Sequence, residues 1–212
     1  MVCRQCAGIE KFFDQREAER ELRTYRKRGP ARTTRMLLDA LKSFGVEGCT
    51  VLDVGGGVGA IQHDLLTSGA SSSLGVEASI AYMAAAKEES ALQGLAEREA
   101  YRHGDFVSMA PDLEPADIVT LDRVICCFDD VEGLVGLSSE KAKKLYGVVY
   151  PRSNWVFGAA FRIFNLWLWL RRSQFRVFLH STAKVDYLVS RSGLERRFYA
   201  KTAIWQVAVY VR

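Results

Sequence analysis

The sequence is poor in the features that mark secreted, membrane-spanning and nucleic-acid-binding proteins. Its five cysteines are an odd number without the spacing of a disulfide framework, which favours a reducing, cytoplasmic environment. The N-terminus lacks an apolar signal segment, and no apolar run reaches the about 20 residues that a spanning helix needs. The net charge of +4 is mild, and we expect no nucleic-acid partner.

The order of apolar and polar residues predicts an α/β domain. Apolar residues make up 49% of the 212 residues, which is enough for one buried core. Helices are predicted at 9–28 and 31–44, and again in most of the later gaps between strands. This alternation predicts a doubly wound, mostly parallel, seven-stranded sheet with helices on both faces. The predicted strands are 50–54, 73–77, 100–103, 117–122, 145–150, 194–200 and 203–211.

The end of the chain departs from this alternation. The strands at 194–200 and 203–211 are separated by too few residues for a helical crossover, so we expect a C-terminal antiparallel hairpin. Residues 1–45 are predicted to form an N-terminal helical arm, and 46–212 the main domain. A segment at about 151–180 is predicted to be an apolar lid inserted into that domain.

A glycine-rich segment, VLDVGGGVGA, joins the first predicted strand to the next helix. Glycines at such a junction let a ligand lie against bare backbone. Gly55, Gly57 and Ala60 fit the G-x-G-x-x-G/A spacing, which dinucleotide-binding enzymes also use. Glu77 ends the second predicted strand, about 20 residues further on, where a carboxylate can accept hydrogen bonds from a ribose diol.

Further residues distinguish this loop from that of a dehydrogenase. Asp53 lies inside the first strand, where nicotinamide and flavin enzymes generally keep an apolar residue. Together with Glu77, HGDF at 103–106 and DIVTLDRV at 117–124, the segment VLDVGGGVG resembles the motifs of class I S-adenosylmethionine-dependent methyltransferases. The resemblance covers most of residues 50–211 and implies S-adenosyl-L-methionine as the cofactor. The cofactor-binding residues that it implies are Asp53, Gly55, Gly57, Gly59, Glu77, Asp105, Phe106 and Asp122.

The resemblance also implies what each of these residues contacts. The three glycines would lie under the methionine part of the cofactor, and Glu77 on its ribose. Asp105 would lie near the adenine amino group, and Asp122 beside the methyl donor at the end of the fourth strand.

Within that family, the chain is similar to the magnesium-protoporphyrin IX O-methyltransferases. The similarity rests on GIEKFFDQ and YRKRGPARTT near the N-terminus, LYGVVYP as the fifth strand, and FRVFLHSTAKVDYLVSRSGL and YAKTAIWQVAVY near the end. It implies an N-terminal arm, a lid after the fifth strand and a tetrapyrrole carboxylate as acceptor. It also implies a histidine just after the fourth strand, where this chain has Cys126-Cys127.

Candidates for catalysis are His180, Asp122 and Cys127. His180 lies between the apolar segment and a predicted helix N-cap, and could take a proton from a hydroxyl or amine acceptor. Cys126 or Cys127 could line the acceptor pocket. A carboxylate acceptor is already ionised and would need no base. His63 is expected to be an ordinary surface residue, and His103 a residue at a strand end.

The most unusual composition lies at 155–172, WVFGAAFRIFNLWLWLRR. It could be a core helix, a lid over a large apolar acceptor, or an interfacial helix. In the interfacial case its tryptophans would lie at the lipid headgroups, and Arg171, Arg172 and Arg176 on anionic lipid. We favour the lid, which is compatible with peripheral membrane contact because an apolar acceptor is stored in membranes.

The sequence contains two further patterns, which are weaker. The basic stretch RTYRKRGPARTTR at 23–35 is expected to be a solvated helix face, with anion or membrane binding as the alternative. Cys3 and Cys6 form C-x-x-C, but with only adjacent Cys126 and Cys127 as further partners the pattern is weak, and we expect no metal.

These observations predict methyl transfer from S-adenosylmethionine to a bulky, apolar or aromatic small molecule. A tetrapyrrole carboxylate is the specific candidate, and a quinone-like or polyketide hydroxyl the broader one. A non-catalytic cofactor-binding or membrane-associated protein and an RNA methyltransferase are the alternatives from other classes. The RNA alternative ranks lower because LDRV at 121–124 differs from the N/D-P-P-Y/F of amine-methylating nucleic-acid enzymes. The acceptor and the oligomeric state stay open.

Overall fold

The computed structural model describes residues 4–212, which contain a seven-stranded sheet. The strand order is β3-β2-β1-β4-β5-β7-β6, with β1 to β5 parallel and β7 antiparallel to both of its neighbours. The predicted doubly wound sheet with a C-terminal hairpin is confirmed. The strands are β1 Thr50–Val54, β2 Ser72–Glu77, β3 Glu99–His103, β4 Ala116–Asp122, β5 Ala142–Pro151, β6 Glu195–Lys201 and β7 Trp205–Val211.

Helices precede the sheet and connect its strands. The connection after β5 contains two helices and includes the predicted lid. No helix in the described part of the chain is long and apolar enough to cross a membrane. The helices are α1 Arg4–Phe12, α2 Gln15–Arg28, α3 Arg32–Ser43, α4 Ala60–Thr67, α5 Ile80–Leu92, α6 Phe106–Met109, α7 Val131–Glu140, α8 Trp155–Leu170 and α9 Thr182–Arg191.

The prediction of one helix at 9–28 is wrong. The chain ends α1 at Phe12 and starts α2 at Gln15, with Asp14 as the N-cap between them. The Asp14 carboxylate accepts a hydrogen bond from the Glu17 backbone N–H at 3.0 Å. Aspartate competes for backbone hydrogen bonds in this way, so it favours a helix start over a helix interior.

Both faces of the sheet are covered by helices, which bury one apolar cluster on each side. One cluster joins Leu37 of α3 and Leu65 of α4 to Val149 of β5, and the other joins Val135 of α7 to Val185 of α9. The helix α3 packs on β5 and β7. The other two helices of the predicted arm, α1 and α2, lie over the carboxyl ends of the strands. The predicted domain boundary after residue 45 stays a prediction.

The helix α8 is attached to this body along one narrow stripe. Leu168 is its one fully buried side chain. Asn165 fixes the stripe, because its side chain donates to the Val177 carbonyl at 2.7 Å and accepts from the Val177 N–H at 2.9 Å. The alternative that α8 is a core helix is therefore wrong.

Candidate active site

A cavity of about 820 Å³ opens at the carboxyl ends of β1, β2, β3 and β4. This volume falls in the range of about 300–1,000 Å³ that is usual for small-molecule sites. The glycine loop and strand ends form its floor, and α1, α2 and the turn after α2 lie across it. Ligands of open α/β sheets bind at this edge, so the cavity is the candidate site.

The helices α1 and α2 are held over the cavity by specific hydrogen bonds. Arg26 of α2 forms ion pairs with Glu89 at 2.7 Å and Glu88 at 2.8 Å on α5. The Tyr82 hydroxyl of α5 donates to Glu21 at 2.9 Å. At the other end of the arm, the Gln5 side-chain amide donates to the Cys127 carbonyl at 2.6 Å. The arm is therefore a wall of the site.

The glycine loop has a backbone that side chains would not tolerate. Gly55, Gly57 and Gly59 have φ values of +67°, +60° and +81°, a left-handed region that favours glycine. A Cβ at Gly55 would lie 2.5 Å from Val124 Cγ2. Gly55 and Gly57 line the cavity, whereas Gly59 packs against the ring of His63 and does not.

Glu77 lies at the end of β2, on the wall of the cavity. Its Oε2 accepts from the Gly57 N–H at 3.1 Å and its Oε1 from the Ser79 N–H at 3.0 Å. Burial raises the pKa of this carboxyl, and these backbone donors oppose the rise. A carboxylate has about four acceptor positions, so both oxygens could still accept hydrogen bonds from a ligand diol.

Asp53 does not line the cavity, contrary to the predicted cofactor contact. Its side chain is fully buried behind the loop, where Oδ1 accepts from the Thr120 hydroxyl at 2.6 Å and Oδ2 has no partner among the described residues. A Cβ at Gly56 would collide with Oδ2. Burial, with smaller contributions from Asp122 and Glu77, raises the pKa of Asp53 to about 7. Asp53 therefore supports the loop from below.

Asp105 and Phe106 lie where β3 gives way to α6, and both line the cavity. Asp105 is the N-cap of α6, since its Oδ1 accepts from the Val107 N–H at 3.1 Å and its Oδ2 from the Ser108 hydroxyl at 2.9 Å. Phe106 is buried with its ring in the main core. The two residues form a polar and an apolar part of the same wall.

Asp122, at the end of β4, is part of a hydrogen-bonded group that sequence reasoning did not find. The Thr34 hydroxyl donates to Asp122 Oδ2 at 2.5 Å, and Arg123 Nε donates to Oδ1 at 3.1 Å. Arg123 also donates to the Thr34 hydroxyl oxygen at 3.2 Å. Thr34 belongs to the stretch GPARTT, whose resemblance to a family segment was the available signal.

Cys127 lines the cavity, but its surroundings do not make it a base. Its Sγ lies 4.0 Å from Cys126 Sγ and 3.7 Å from the Arg123 carbonyl oxygen. The contact with Cys126 and burial raise the pKa of Cys127 well above its ordinary value. The thiol therefore keeps its proton, and the predicted catalytic role of Cys127 is unsupported.

His180 does not line the cavity either. Its Nε2–H donates to the Phe128 carbonyl at 2.8 Å, and burial lowers the pKa of the ring. His103 lies at the end of β3 as predicted, where it pairs with Glu10 at 3.1 Å. His63 is buried and 3.6 Å from Glu99, so its predicted surface position is wrong. The cavity lining thus contains no histidine within residues 4–212.

The basic stretch at 23–35 contributes arginines to the rim of the cavity. Arg28, Arg32 and Arg35 line it, and in the described part of the chain none of them forms an ion pair with a carboxylate, whereas Arg26 forms two. The expectation of a solvated helix face is correct for Arg23 and Lys27, which are exposed. The expectation is incomplete for Arg28, Arg32 and Arg35, whose positive charge at the rim is not neutralised by an ion pair.

The predicted lid contributes less to the cavity than its composition suggests. Phe164 of α8 lines the cavity, together with Phe175 from the segment after the helix. Trp155 and Trp169 are 84% and 63% exposed and lie outside the lining. The lid interpretation would place aromatic residues of this segment over the acceptor, and Phe164 is the aromatic residue of α8 that lines the cavity.

Metal ligands are not assembled in this region. Within residues 4–212, no group of three or more His, Cys, Asp or Glu side chains is placed to hold a metal ion. Cys3, half of the predicted C-x-x-C pair, lies outside the described residues. The expected absence of a metal stays a prediction, which elemental analysis of the purified protein would check.

Comparisons with known proteins agree with this geometry. Residues 52–137, from the glycine loop to α7, match the methyltransferase domain family. Residues 52–137 therefore form a methyltransferase domain, and the chain has the class I methyltransferase fold. The matched range includes Glu77, Asp105 and Asp122, and it excludes the arm and α8. The methyltransferase matches no curated protein sequence.

Solved structures share the fold of this methyltransferase at low identity. Magnesium protoporphyrin IX methyltransferase from Synechocystis, with bound S-adenosylhomocysteine, superposes with a TM-score of 0.75 at 14% identity, over 98% of this chain and 99% of that one. An O-methyltransferase family protein from Burkholderia thailandensis gives a TM-score of 0.70 at 18% identity, over 94% of this chain and 60% of that one. The first similarity extends over the arm and α8 as well as the sheet.

Proposed function

We propose that this methyltransferase transfers a methyl group to a carboxylate of a bulky, largely apolar acid, with a tetrapyrrole acid as the specific candidate. The observation that carries the proposal is the set of rim arginines without carboxylate partners, Arg28, Arg32 and Arg35. Guanidinium groups bind carboxylates through paired, charge-assisted hydrogen bonds. An arginine without an internal partner at a cavity rim is therefore suited to an anionic ligand.

The floor of the cavity is the proposed cofactor site. Gly55 and Gly57 would lie against the methionine part, and Glu77 would accept from the ribose diol with the acceptor positions that its backbone partners leave open. Asp105 and Phe106 would bound the adenine. When bound, S-adenosylmethionine supplies an electrophilic methyl group on its sulfonium.

Another part of the cavity lining would suit a large flat acceptor. Aromatic rings from separate elements line it, including Phe12 of α1, Phe164 of α8, Phe175 and Trp205 of β7. Phe12 and Phe175 are stacked, with ring centroids 4.5 Å apart. Such surfaces bury apolar area and favour offset stacking of a planar ligand. The acceptor would then lie between this wall and the rim arginines.

We expect the residues around the proposed reaction centre to hold the reactants in place and not to take a proton from the acceptor. Both Asp122 oxygens already accept hydrogen bonds, from Thr34 and Arg123, and no described histidine reaches the cavity. A carboxylate acceptor is ionised at neutral pH and needs no general base. Holding the two reactants in line can by itself supply an effective molarity of about 10⁵ M or more. This chemistry suits a carboxylate better than a hydroxyl.

A matched set of acceptors tests the proposal. Purified protein would be incubated with labelled S-adenosylmethionine and one of four acceptors: a porphyrin dicarboxylic acid, its dimethyl ester, a flat polycyclic phenol or RNA. We expect label in the acid alone, as a base-labile methyl ester. Methylation of the phenol with none of the acid would replace the carboxylate by the aromatic hydroxyl, and methylation of RNA would favour the nucleic-acid alternative.

A separate prediction tests the role of Glu77 in the proposed cofactor site. Glu77→Ala removes the acceptor of the ribose diol, and charge-assisted hydrogen bonds contribute about 1.5–3 kcal/mol. We therefore expect the Kd of S-adenosylhomocysteine, measured by calorimetry, to rise by roughly 10- to 100-fold. Glu97→Ala, an exposed glutamate outside the cavity, is the control. An unchanged Kd in a folded Glu77→Ala protein would contradict this assignment.

A further inference from the structure

The outward side of α8 is an apolar surface without a partner in the described part of the chain. The helix is held along the stripe through Asn165 and Leu168, and the opposite side projects from the body. Apolar patches on soluble proteins generally mark sites of interaction. The exposed residues that form this patch, named here the α8 surface, are Trp155, Val156, Ile163, Leu166, Trp167, Trp169 and Leu170.

The charge around the α8 surface has one sign. Between Glu140 and Asp186 the sequence contains no acidic residue. Arg162 lies on the exposed side of α8, and Arg171 and Arg172 follow its last turn, all of them exposed. The Arg171 guanidinium lies 4.8 Å from the centre of the Trp167 ring, a cation–π distance that places charge beside the apolar patch.

We propose that the α8 surface docks on a lipid bilayer that carries anionic headgroups. A helix that combines an exposed apolar side, tryptophans and flanking arginines has the composition of an interfacial helix, which lies in the plane of the membrane. Tryptophan prefers the headgroup region, because its ring is apolar and its N–H is polar. At 16 residues, α8 is shorter than the about 20 residues needed to span.

The charge distribution also favours lipid over a second copy of the chain. A second copy would present the same arginines and, across this stretch, no carboxylate to pair with them. Anionic headgroups would pair with Arg162, Arg171 and Arg172. Phe164 of α8 lines the cavity, so docking would bring the proposed acceptor site next to the bilayer. That last point rests on the proposed function, but the docking itself does not.

Vesicle flotation without cofactor or acceptor tests the docking. We expect the protein to float with vesicles of phosphatidylcholine and phosphatidylglycerol, and much less with phosphatidylcholine alone. Added salt should weaken the association, because surface charge interactions are screened. Lipids brominated on their acyl chains should quench the tryptophan fluorescence. No flotation with anionic vesicles would overturn the proposal.

Two double variants test the arginines and the tryptophans of the α8 surface separately. Arg171→Gln/Arg172→Gln should lower the partition coefficient on anionic vesicles by about fivefold for each arginine, hence roughly 25-fold. Trp155→Ser/Trp169→Ser should lower binding and reduce quenching. The controls are Arg102→Gln/Lys143→Gln and Tyr187→Ser, which change exposed residues elsewhere. Equal losses in the control variants would show non-specific adsorption and overturn the assignment.

The oligomeric state tests the remaining alternative, in which a second copy of the chain covers the α8 surface. Sedimentation without lipid should give the same mass for the native protein and for Trp155→Ser/Trp169→Ser. A native dimer that the two substitutions dissociate would assign the α8 surface to a second copy and overturn the membrane proposal. Because neither measurement uses methyl transfer, failure of the docking and failure of the proposed reaction are distinguishable.

Discussion

Replacing Asp53 by asparagine is expected to remove a pH dependence from the stability of the fold. The native carboxyl has a pKa of about 7 in the folded state, raised mainly by burial, against an ordinary value of 3.8. The folded protein therefore binds more protons than the unfolded chain between these values, and native stability falls as the pH rises through this range. Above pH 7 the full cost applies, about 4 kcal/mol at most.

Asparagine keeps the acceptor for the Thr120 hydroxyl but does not ionise. Its amide N–H₂ takes the place of the unpartnered Oδ2, which costs about 1–3 kcal/mol at every pH. The decisive quantity is therefore the difference between pH 5 and pH 8. Over that interval the free energy of unfolding of the native protein should fall by about 2–3 kcal/mol relative to Asp53→Asn.

Urea denaturation at both pH values measures this difference. Asp112→Asn, which changes an exposed aspartate, controls for the loss of one negative charge. If Asp53→Asn and the native protein follow parallel pH profiles, the Asp53 carboxyl is not destabilised by burial. A destabilising carboxyl would be consistent with the proposed function, because Asp53 lies near Glu77 and Asp122 and adds negative charge beside the proposed site of a cationic sulfonium.

The sheet and the strand-end side of the cavity, which is the proposed cofactor site, were predictable because their signals are local. Each strand is a short apolar run between turn residues, and strand β1 leads directly into a glycine loop that requires positive φ angles. Glu77 and Asp122 are found by the same reasoning, since residues that end neighbouring parallel strands meet at one edge of the sheet.

The contacts between the N-terminal arm and the rest of the chain were not predictable because they form by tertiary packing. Thr34 and Asp122 are 88 positions apart in sequence, and no spacing rule joins them. His63 was expected at the surface, but its helix packs it beside Tyr25 of the arm, with ring centroids 6.1 Å apart. An arm that folds back over the sheet changes the burial of residues that periodicity alone would leave exposed.

The orientation of α8 illustrates a different limit. A hydrophobic periodicity identifies the buried side of a helix only when the opposite side is polar. Here both sides are apolar, so the composition could not show that Phe164 points to the cavity while Trp155 and Trp169 point away.

Loss of the rim arginines is expected to abolish efficient methylation while leaving cofactor binding intact. In Arg28→Gln/Arg32→Gln/Arg35→Gln, the proposed carboxylate acceptor would lose the cations that hold it. Charge-assisted hydrogen bonds of this kind contribute about 1.5–3 kcal/mol each. Even two such bonds correspond to a fall in kcat/KM of roughly 10²- to 10⁴-fold, with KM carrying most of the change if the arginines act in binding.

A second triple variant makes this result specific to the rim. Arg16→Gln/Arg23→Gln/Lys27→Gln removes the same charge from exposed positions of α2 that do not line the cavity. It should keep the native kcat/KM, and both variants should keep the native Kd for S-adenosylhomocysteine because Glu77 and the glycine loop are untouched. Equal losses in the two variants would mean that net charge alone attracts the acceptor. Loss of cofactor binding in the rim variant alone would instead mean that the arginines hold the arm over the cofactor, and the acceptor would have to be recognised by the aromatic wall.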